Sequence, residues 1–140
     1  MKSFVLVLTL LVSSFSFAQD SIKVKAETPK ILTNLFYGNS LRFDALEFKF
    51  VKVVTDSRCP KNATCVWAGE ITVLINIYTD GEFSEQKSLN FGSKSQLNKE
   101  LLNLFSSEIL KITGFKVLPY PIYGEKINIE DYYIQLEVKN

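Results

Sequence analysis

Apolar and polar residues alternate along most of this chain, a period of two that is typical of β-strands with one buried face. The clearest case is 65–79, where the apolar residues Ile71, Val73, Ile75 and Ile77 fall on one face. Alternation elsewhere predicts further strands at 21–26, 30–37, 41–54, 83–91, 108–118 and 132–138.

Three local signals interrupt or connect these strands. Within 41–54 the alternation slips at 45–46 and again at 50–51, which predicts a bulge or bend. Asp80-Gly81 is a strong signal for a two-residue hairpin turn between its neighbouring strands. Gly114 interrupts the strand at 108–118 and predicts another bulge.

The segment 95–107 departs from the strand pattern. Leu97, Leu101 and Leu104 fall at helical spacing, and Ser95 could cap the first turn. The pattern is compatible with a short helix and also with a ragged strand, so the sequence leaves both open.

Several short strands joined by turns in a chain of this length predict an all-β fold, mostly antiparallel, as a sandwich or a small barrel. The strand segments are apolar enough to require a second sheet to cover them. We expect a single β-rich domain over 19–140.

The N-terminus carries the pattern of a secretory signal peptide at 1–18. Lys2 precedes an apolar run, and Ser16-Phe17-Ala18 supplies the small residues that signal peptidase recognises. The sequence therefore predicts cleavage near Ala18/Gln19 and a periplasmic or secreted protein without a membrane span after cleavage.

Charge and composition exclude several classes of function. Removal of 1–18 leaves 15 basic and 15 acidic residues, so there is no electrostatic basis for binding nucleic acid. Histidine is absent, which removes the commonest general base and metal ligand. We therefore expect no enzyme, no cofactor and no metal.

The chain has two cysteines, Cys59 and Cys65. In an oxidising compartment a pair this close predicts a structural disulfide, whose short ring stabilises the fold by about 2 kcal/mol. The spacing does not match a Cys-x-x-Cys redox site. Trp67 lies two residues beyond Cys65 on the predicted strand, so we expect the indole to pack against the disulfide.

The segment from Asp56 to Glu70, which reads DSRCP and then CVWAGE, resembles one found in small exported proteins and lipoproteins of bacteria. In those proteins a DSRCP…C.WAG sequence lies between two strands. The resemblance implies an exported β-rich domain and no catalytic residues. This chain lacks the lipid-accepting cysteine of the lipoproteins, which argues against a lipid anchor.

The same segment is the candidate structural or binding loop. Asp56 can accept hydrogen bonds from the main chain that follows it, and Arg58 can clamp Asp56, Glu70 or loop carbonyl groups. Pro60 stiffens the ring, and Gly69 permits a bulge or a close approach. These residue types suit a braced structural corner and also a rigid contact surface.

We expect a non-catalytic binding or structural module, with protein or carbohydrate as the natural partner of its rigid surface. The candidate contact residues are Tyr120 and Tyr123 of the segment 119–124, which we call the Pro-rich loop, together with Tyr132 and Tyr133 of the last predicted strand.

Two other functions stay open from sequence. One is a protease-inhibitory loop in which Arg58 or Lys61 enters a trypsin-like pocket. The other, less favoured, is a carboxylate-based metal site or enzyme formed by Asp56, Glu70 and Glu130-Asp131.

Overall fold

Eight antiparallel strands form two four-stranded sheets in residues 30–140, the part of the chain that the computed structural model describes. The predicted signal peptide at 1–18 and the predicted strand at 21–26 lie outside the described residues.

The strands are joined by one short α-helix and two 3₁₀ helices. In chain order the elements are β1 (Ile31–Phe36), β2 (Ser40–Phe43), β3 (Leu46–Asp56), β4 (Ile71–Thr79), β5 (Glu82–Phe91), α1 (Ser93–Leu97), a first 3₁₀ helix (Lys99–Leu102), β6 (Asn103–Ser106), β7 (Lys111–Leu118), a second 3₁₀ helix (Ile129–Asp131) and β8 (Tyr133–Lys139). One sheet has the order β1-β8-β7-β6 and the other the order β2-β3-β4-β5.

The inner faces of the two sheets share one core. Sheet β2-β3-β4-β5 contributes the predicted stripe of β4, with Phe48 and Phe50 of β3, and the other sheet contributes Ile134 and Leu136 of β8. All of these side chains are buried. The all-β sandwich predicted from alternation is therefore confirmed, because strands with one apolar face reach a dry interior only when a second sheet covers them.

The segment predicted as one strand at 41–54 forms two. β2 and β3 pair with each other across a turn at Asp44–Ala45, in which Asp44 has a φ of 51°. The first phase slip is thus a hairpin turn and not a bulge, whereas the second is confirmed as a register shift between Phe50 and Lys52. The Asp80-Gly81 hairpin turn is also confirmed, with both residues at positive φ.

The ambiguous segment 95–107 contains both predicted alternatives: α1 and the first 3₁₀ helix occupy its first half, and β6 follows. The prediction that Ser95 caps the helix is wrong, because Gly92 is the N-cap and Ser95 lies three residues inside. The Ser95 hydroxyl instead accepts a 3.0 Å hydrogen bond from the main-chain N–H of Gly92.

The strand predicted at 65–79 begins only at Ile71, so Cys65 to Glu70 belong to the loop. Two main-chain hydrogen bonds extend the β3–β4 ladder into this loop, from Ser57 to Glu70 (2.8 Å) and from Cys59 to Ala68 (2.8 Å). The segment Ser57–Glu70 is therefore a hairpin end closed by the disulfide, and we call it the hairpin loop.

β7 is longer than the strand that covers its edge. Its ladder with β6 ends at Thr113, while its ladder with β8 runs to Leu118 and carries the predicted bulge between Gly114 and Lys116. Among the described residues no strand pairs with 114–118 on the side where β6 ends. Within residues 30–140 no helix is long and apolar enough to cross a bilayer.

Candidate functional site: an arginine-braced loop and the cavity beside it

Arg58 is the second residue of the hairpin loop and is only 9% exposed. Its guanidinium group donates two hydrogen bonds to the Asp56 carboxylate, from Nε to Oδ1 (2.8 Å) and from Nη2 to Oδ2 (2.6 Å). It also donates to two main-chain oxygens, those of Val117 (2.7 Å) and Pro119 (3.0 Å). The predicted clamp is confirmed for Asp56. The carbonyl groups that Arg58 binds lie at and just after the end of β7 and not in the hairpin loop, and Glu70 takes no part.

These hydrogen bonds place the Arg58 guanidinium group beside the end of β7, where the sheet β1-β8-β7-β6 has no further strand among the described residues. Val117 and Pro119 lie at the end of β7 that β6 leaves uncovered, so Arg58 satisfies carbonyl oxygens that a neighbouring strand would otherwise bind. A planar guanidinium with five donors can make four such bonds at once, which a lysine cannot.

Tyr132 completes the arrangement from the other sheet. Its hydroxyl donates a 2.9 Å hydrogen bond to Oδ2 of Asp56, across 76 positions of the chain. The Asp56 carboxylate also accepts the main-chain N–H of Arg58 at 3.3 Å, as the sequence predicts. Asp56, Arg58 and Tyr132 therefore form one polar cluster, which we call the brace.

The brace changes the acidity of two of its members. Burial acts to raise the pKa of Asp56, but the hydrogen bonds and charge of Arg58, aided by the Tyr132 hydroxyl, outweigh it and hold the pKa below its usual value. The pKa of Tyr132 is raised to about 12, mainly because burial disfavours the phenolate and further because the hydroxyl donates to the Asp56 carboxylate. At neutral pH the cluster is thus an ion pair with a neutral phenol.

The disulfide ring packs beside the Pro-rich loop. Cys59 and Cys65 are bonded, as predicted. Inside the ring, the main-chain N–H of Lys61 donates to the Pro121 oxygen (2.9 Å), and the Tyr123 N–H donates to the Lys61 oxygen (3.0 Å). The ring therefore adds a short parallel bridge to 121–123 and ties the hairpin loop to the segment that follows β7.

Gly69 is required by the close return of the hairpin loop. Its φ is +69°, and a Cβ at this position would overlap the carbonyl oxygen of Ser57. The predicted close approach at Gly69 is therefore confirmed, and only glycine fits it without displacement of the main chain.

Trp67 does not pack against the disulfide, and that prediction is wrong. The side chain is 72% exposed, and β4 starts only at Ile71, so Trp67 lies in the hairpin loop and not on a strand of the sandwich. The alternation that assigned Trp67 to the face of Cys65 holds only inside a strand.

A cavity of about 340 Å³ lies beside the brace. Its walls come from the hairpin loop, from the start of β4 and end of β5, from α1 with the following 3₁₀ helix, and from the uncovered end of β7. Arg58, Ala68, Phe115 and Tyr120 are among its lining residues. The ring of Tyr120 lies under the Arg58 guanidinium, with the Cζ atom 5.0 Å from the ring centroid.

The remaining predicted residues divide between the surface and the interior. Tyr123 is exposed, Tyr120 is partly exposed, and Pro60 sits in a turn of the disulfide ring. Glu70 holds the hairpin loop through its main-chain oxygen, and its side chain lies against Gly92. The expectation that Tyr132 is a contact residue is wrong, because its side chain is buried as a member of the brace.

Sequence reasoning missed the cavity and the part of its wall formed by β7. Phe115 and Lys116 lie in the bulge after Gly114, and Gly114 was the only residue whose type indicated an irregularity there. The main-chain oxygens of Val117 and Pro119 leave no trace in the sequence, because every residue carries such a group.

The convergence of carboxylates that the less favoured alternative requires is not observed among the described residues. Among the described residues there is no group of three or more Asp, Glu, Cys or His side chains that could hold a metal ion. The Asp56 carboxylate is instead used by Arg58 and Tyr132.

No family model, curated protein or solved structure matches this chain.

Proposed function

We propose that the protein is a non-catalytic binding module whose ligand enters the cavity beside the brace. The observation that carries this proposal is the pair of exposed aromatic side chains that line the cavity, Phe115 (46% exposed) and Tyr120 (37%).

Exposed aromatic side chains beside a concavity are the usual composition of a binding surface, because they bury a large apolar area at a small cost in side-chain entropy. The volume of the cavity falls in the range of small-ligand sites. The resemblance to exported bacterial proteins stays a prediction and implies an exported β-rich domain without catalytic residues, which is compatible with a binding module.

In this proposal Arg58 supports the surface and does not contact the ligand through its charge. Its guanidinium group is already committed to four hydrogen bonds that fix the hairpin loop against the end of β7. The sequence left two roles open for the segment from Asp56 to Glu70, a structural corner and a contact surface. In this proposal it has both, because the brace holds the binding surface rigid.

The alternative of a protease-inhibitory loop has less support. Arg58 is buried and engaged, so its entry into a protease pocket requires the loss of the brace. Lys61 is exposed, but its main-chain N–H and oxygen already bind the Pro-rich loop and are not free to pair with a protease.

We also propose that the protein acts outside the cytoplasm, in the periplasm or as a secreted protein. The disulfide supports an oxidising compartment. The sequence pattern at 1–18 supports export through a signal peptide.

The single Trp of the chain makes the proposal directly testable. Trp67 fluorescence and the melting temperature of the oxidised protein are to be followed during titration with oligosaccharides and with short peptides. We expect one probe class to change the fluorescence saturably and to raise the melting temperature. Phe115→Ala should weaken that binding about tenfold.

The matched control is Phe83→Ala, which removes another exposed phenylalanine (59%) from the distant β4–β5 hairpin. It should leave the affinity within about twofold of the parent. Equal loss in both variants would place the ligand elsewhere and refute the proposal, as would the absence of saturable binding by either probe class.

A further inference from the structure

The uncovered end of β7 is a free strand edge that forms one wall of the cavity. β6 pairs with β7 only as far as Thr113, and Arg58 binds the edge again at Val117. The stretch between them, residues 114–116, lines the cavity and has no strand partner on that side among the described residues. A free edge of this kind offers main-chain donors and acceptors to an extended peptide.

The floor of the cavity is apolar. Ile71 at the start of β4 and Leu102 at the end of the first 3₁₀ helix are buried, and Phe91 at the end of β5 is partly buried against the core. An apolar side chain placed here would leave water without displacing any charged group.

The charges that line the cavity leave two lysines uncompensated. Arg58 is paired with Asp56, and Oε1 of Glu137 lies 3.3 Å from the Lys139 ammonium group. Lys99 and Lys116 are exposed and form no salt bridge with any described residue. The cavity therefore favours an anionic group, and a carboxylate is the natural anion of a peptide.

We propose that the ligand of the cavity is the C-terminal end of an extended peptide. Its main chain pairs with residues 114–116 of β7, its last apolar side chain covers Ile71, Phe91 and Leu102, and its terminal carboxylate is bound by Lys99 and Lys116. The volume of about 340 Å³ suits the end of a chain and not a long segment. This inference rests on the proposed binding function and specifies its ligand.

The test uses two fluorescent heptapeptides of alternating threonine and valine that end in phenylalanine. One has a free carboxylate and the other a C-terminal amide. With the oxidised protein we expect saturable binding of the free acid and at least about tenfold weaker binding of the amide. In amide NMR spectra the free acid should shift the signals of Gly114, Phe115 and Lys116.

The variant that tests the charge is the double substitution Lys99→Glu with Lys116→Glu, which should abolish the preference for the free acid. Its control is Lys94→Glu, which reverses an exposed charge on α1 that does not line the cavity. That control should bind the free acid within about twofold of the parent.

The outcomes separate this inference from the proposed function. If acid and amide bind equally, or if the double variant binds like the parent, the inference is refuted. If neither peptide binds while an oligosaccharide binds in a manner sensitive to Phe115→Ala, the binding function stands and the peptide inference fails. If the peptide shifts only signals far from 114–116 and ignores Phe115→Ala, both are refuted.

Discussion

Arg58 donates a 2.7 Å hydrogen bond from Nη1 to the main-chain oxygen of Val117, which lies 59 positions later in the chain. The bond joins the hairpin loop of one sheet to the uncovered strand edge of the other. Because Asp56 fixes the same guanidinium group from the opposite side, the ion pair and the edge contact depend on each other.

Substitution of Arg58 should therefore destabilise the whole fold. We expect Arg58→Ala to lower the free energy of unfolding by about 3 kcal/mol, because it leaves the Asp56 carboxylate without its cationic partner and the Val117 oxygen without its Arg58 donor. Urea unfolding at neutral pH measures this difference.

The other arginine of the chain is the control for that substitution. Arg42 pairs with Glu47 at 2.8 Å, but its side chain is 76% exposed. Arg42→Ala should cost less than about 1 kcal/mol. Equal losses for the two variants would contradict the brace.

Acid should weaken the brace through Asp56. Its pKa in the folded protein is below the usual value of 3.8, so its contribution to stability is fully present above about pH 4 and is lost as the pH falls through the lower, folded pKa. We expect Asp56→Asn to be less stable than the parent at neutral pH and to have a shallower decline in acid. Urea midpoints measured from about pH 2 to 7 test this, and parallel curves would show that Asp56 titrates normally.

High pH should lower the stability of the fold through ionisation of Tyr132. The pKa of Tyr132 is about 12 in the folded protein. Its contribution to the free energy of unfolding is therefore fully present below the ordinary tyrosine pKa of about 10 and is lost as the pH rises toward 12. We expect Tyr132→Phe to cost about 1 kcal/mol at neutral pH and to remove this part of the alkaline decline.

Tyr133 provides the matched control for Tyr132. It is the next residue along the chain, and its ring packs on Phe36 on the outer face, with centroids 5.2 Å apart. Because its hydroxyl has no hydrogen-bond partner among the described residues, Tyr133→Phe should leave both the stability and the alkaline decline unchanged. If Tyr132→Phe loses stability in alkali as steeply as the parent, the alkaline decline belongs to another group.

The return of the hairpin loop should be intolerant of a side chain at Gly69. We expect Gly69→Ala to lower the free energy of unfolding by at least about 2 kcal/mol, because an added Cβ meets the Ser57 carbonyl oxygen in addition to the strain of a positive φ. Gly38 also has a positive φ, but open space surrounds it. Gly38→Ala should cost only about 1 kcal/mol, and chemical denaturation of the two variants separates steric overlap from backbone strain.

Much of the fold followed from the sequence because the relevant forces are local. Alternation in β4 predicted the buried stripe, Asp80-Gly81 predicted its hairpin, and Gly114 predicted the bulge of β7. These signals depend only on which face of a strand a side chain occupies and on which residues accept a positive φ.

The errors arose where a local pattern had two structural solutions. A phase slip at Ala45 is compatible with a bulge and with a tight turn, and the pairing of β2 with β3 decided for the turn. Trp67 continues the alternation of β4 in the sequence, yet β4 begins only at Ile71, so the rule that assigns alternate residues to one face does not extend to Trp67.

The sequence by itself determined the all-β class and the disulfide, because both follow from local signals, the alternation along each strand and the close spacing of Cys59 and Cys65. For Arg58 it left Asp56, Glu70 and loop carbonyl groups open as partners, and at Gly69 it allowed either a bulge or a close approach. Only the tertiary structure decided that Arg58 binds main-chain oxygens at the uncovered end of β7, that the buried Tyr132 donates to Asp56, and that a cavity lies beside the brace. Those contacts join residues 59 or more positions apart, and they depend on how far β6 extends along β7. Main-chain groups supply half of Arg58's side-chain bonds, and their availability is set by strand pairing and not by residue type.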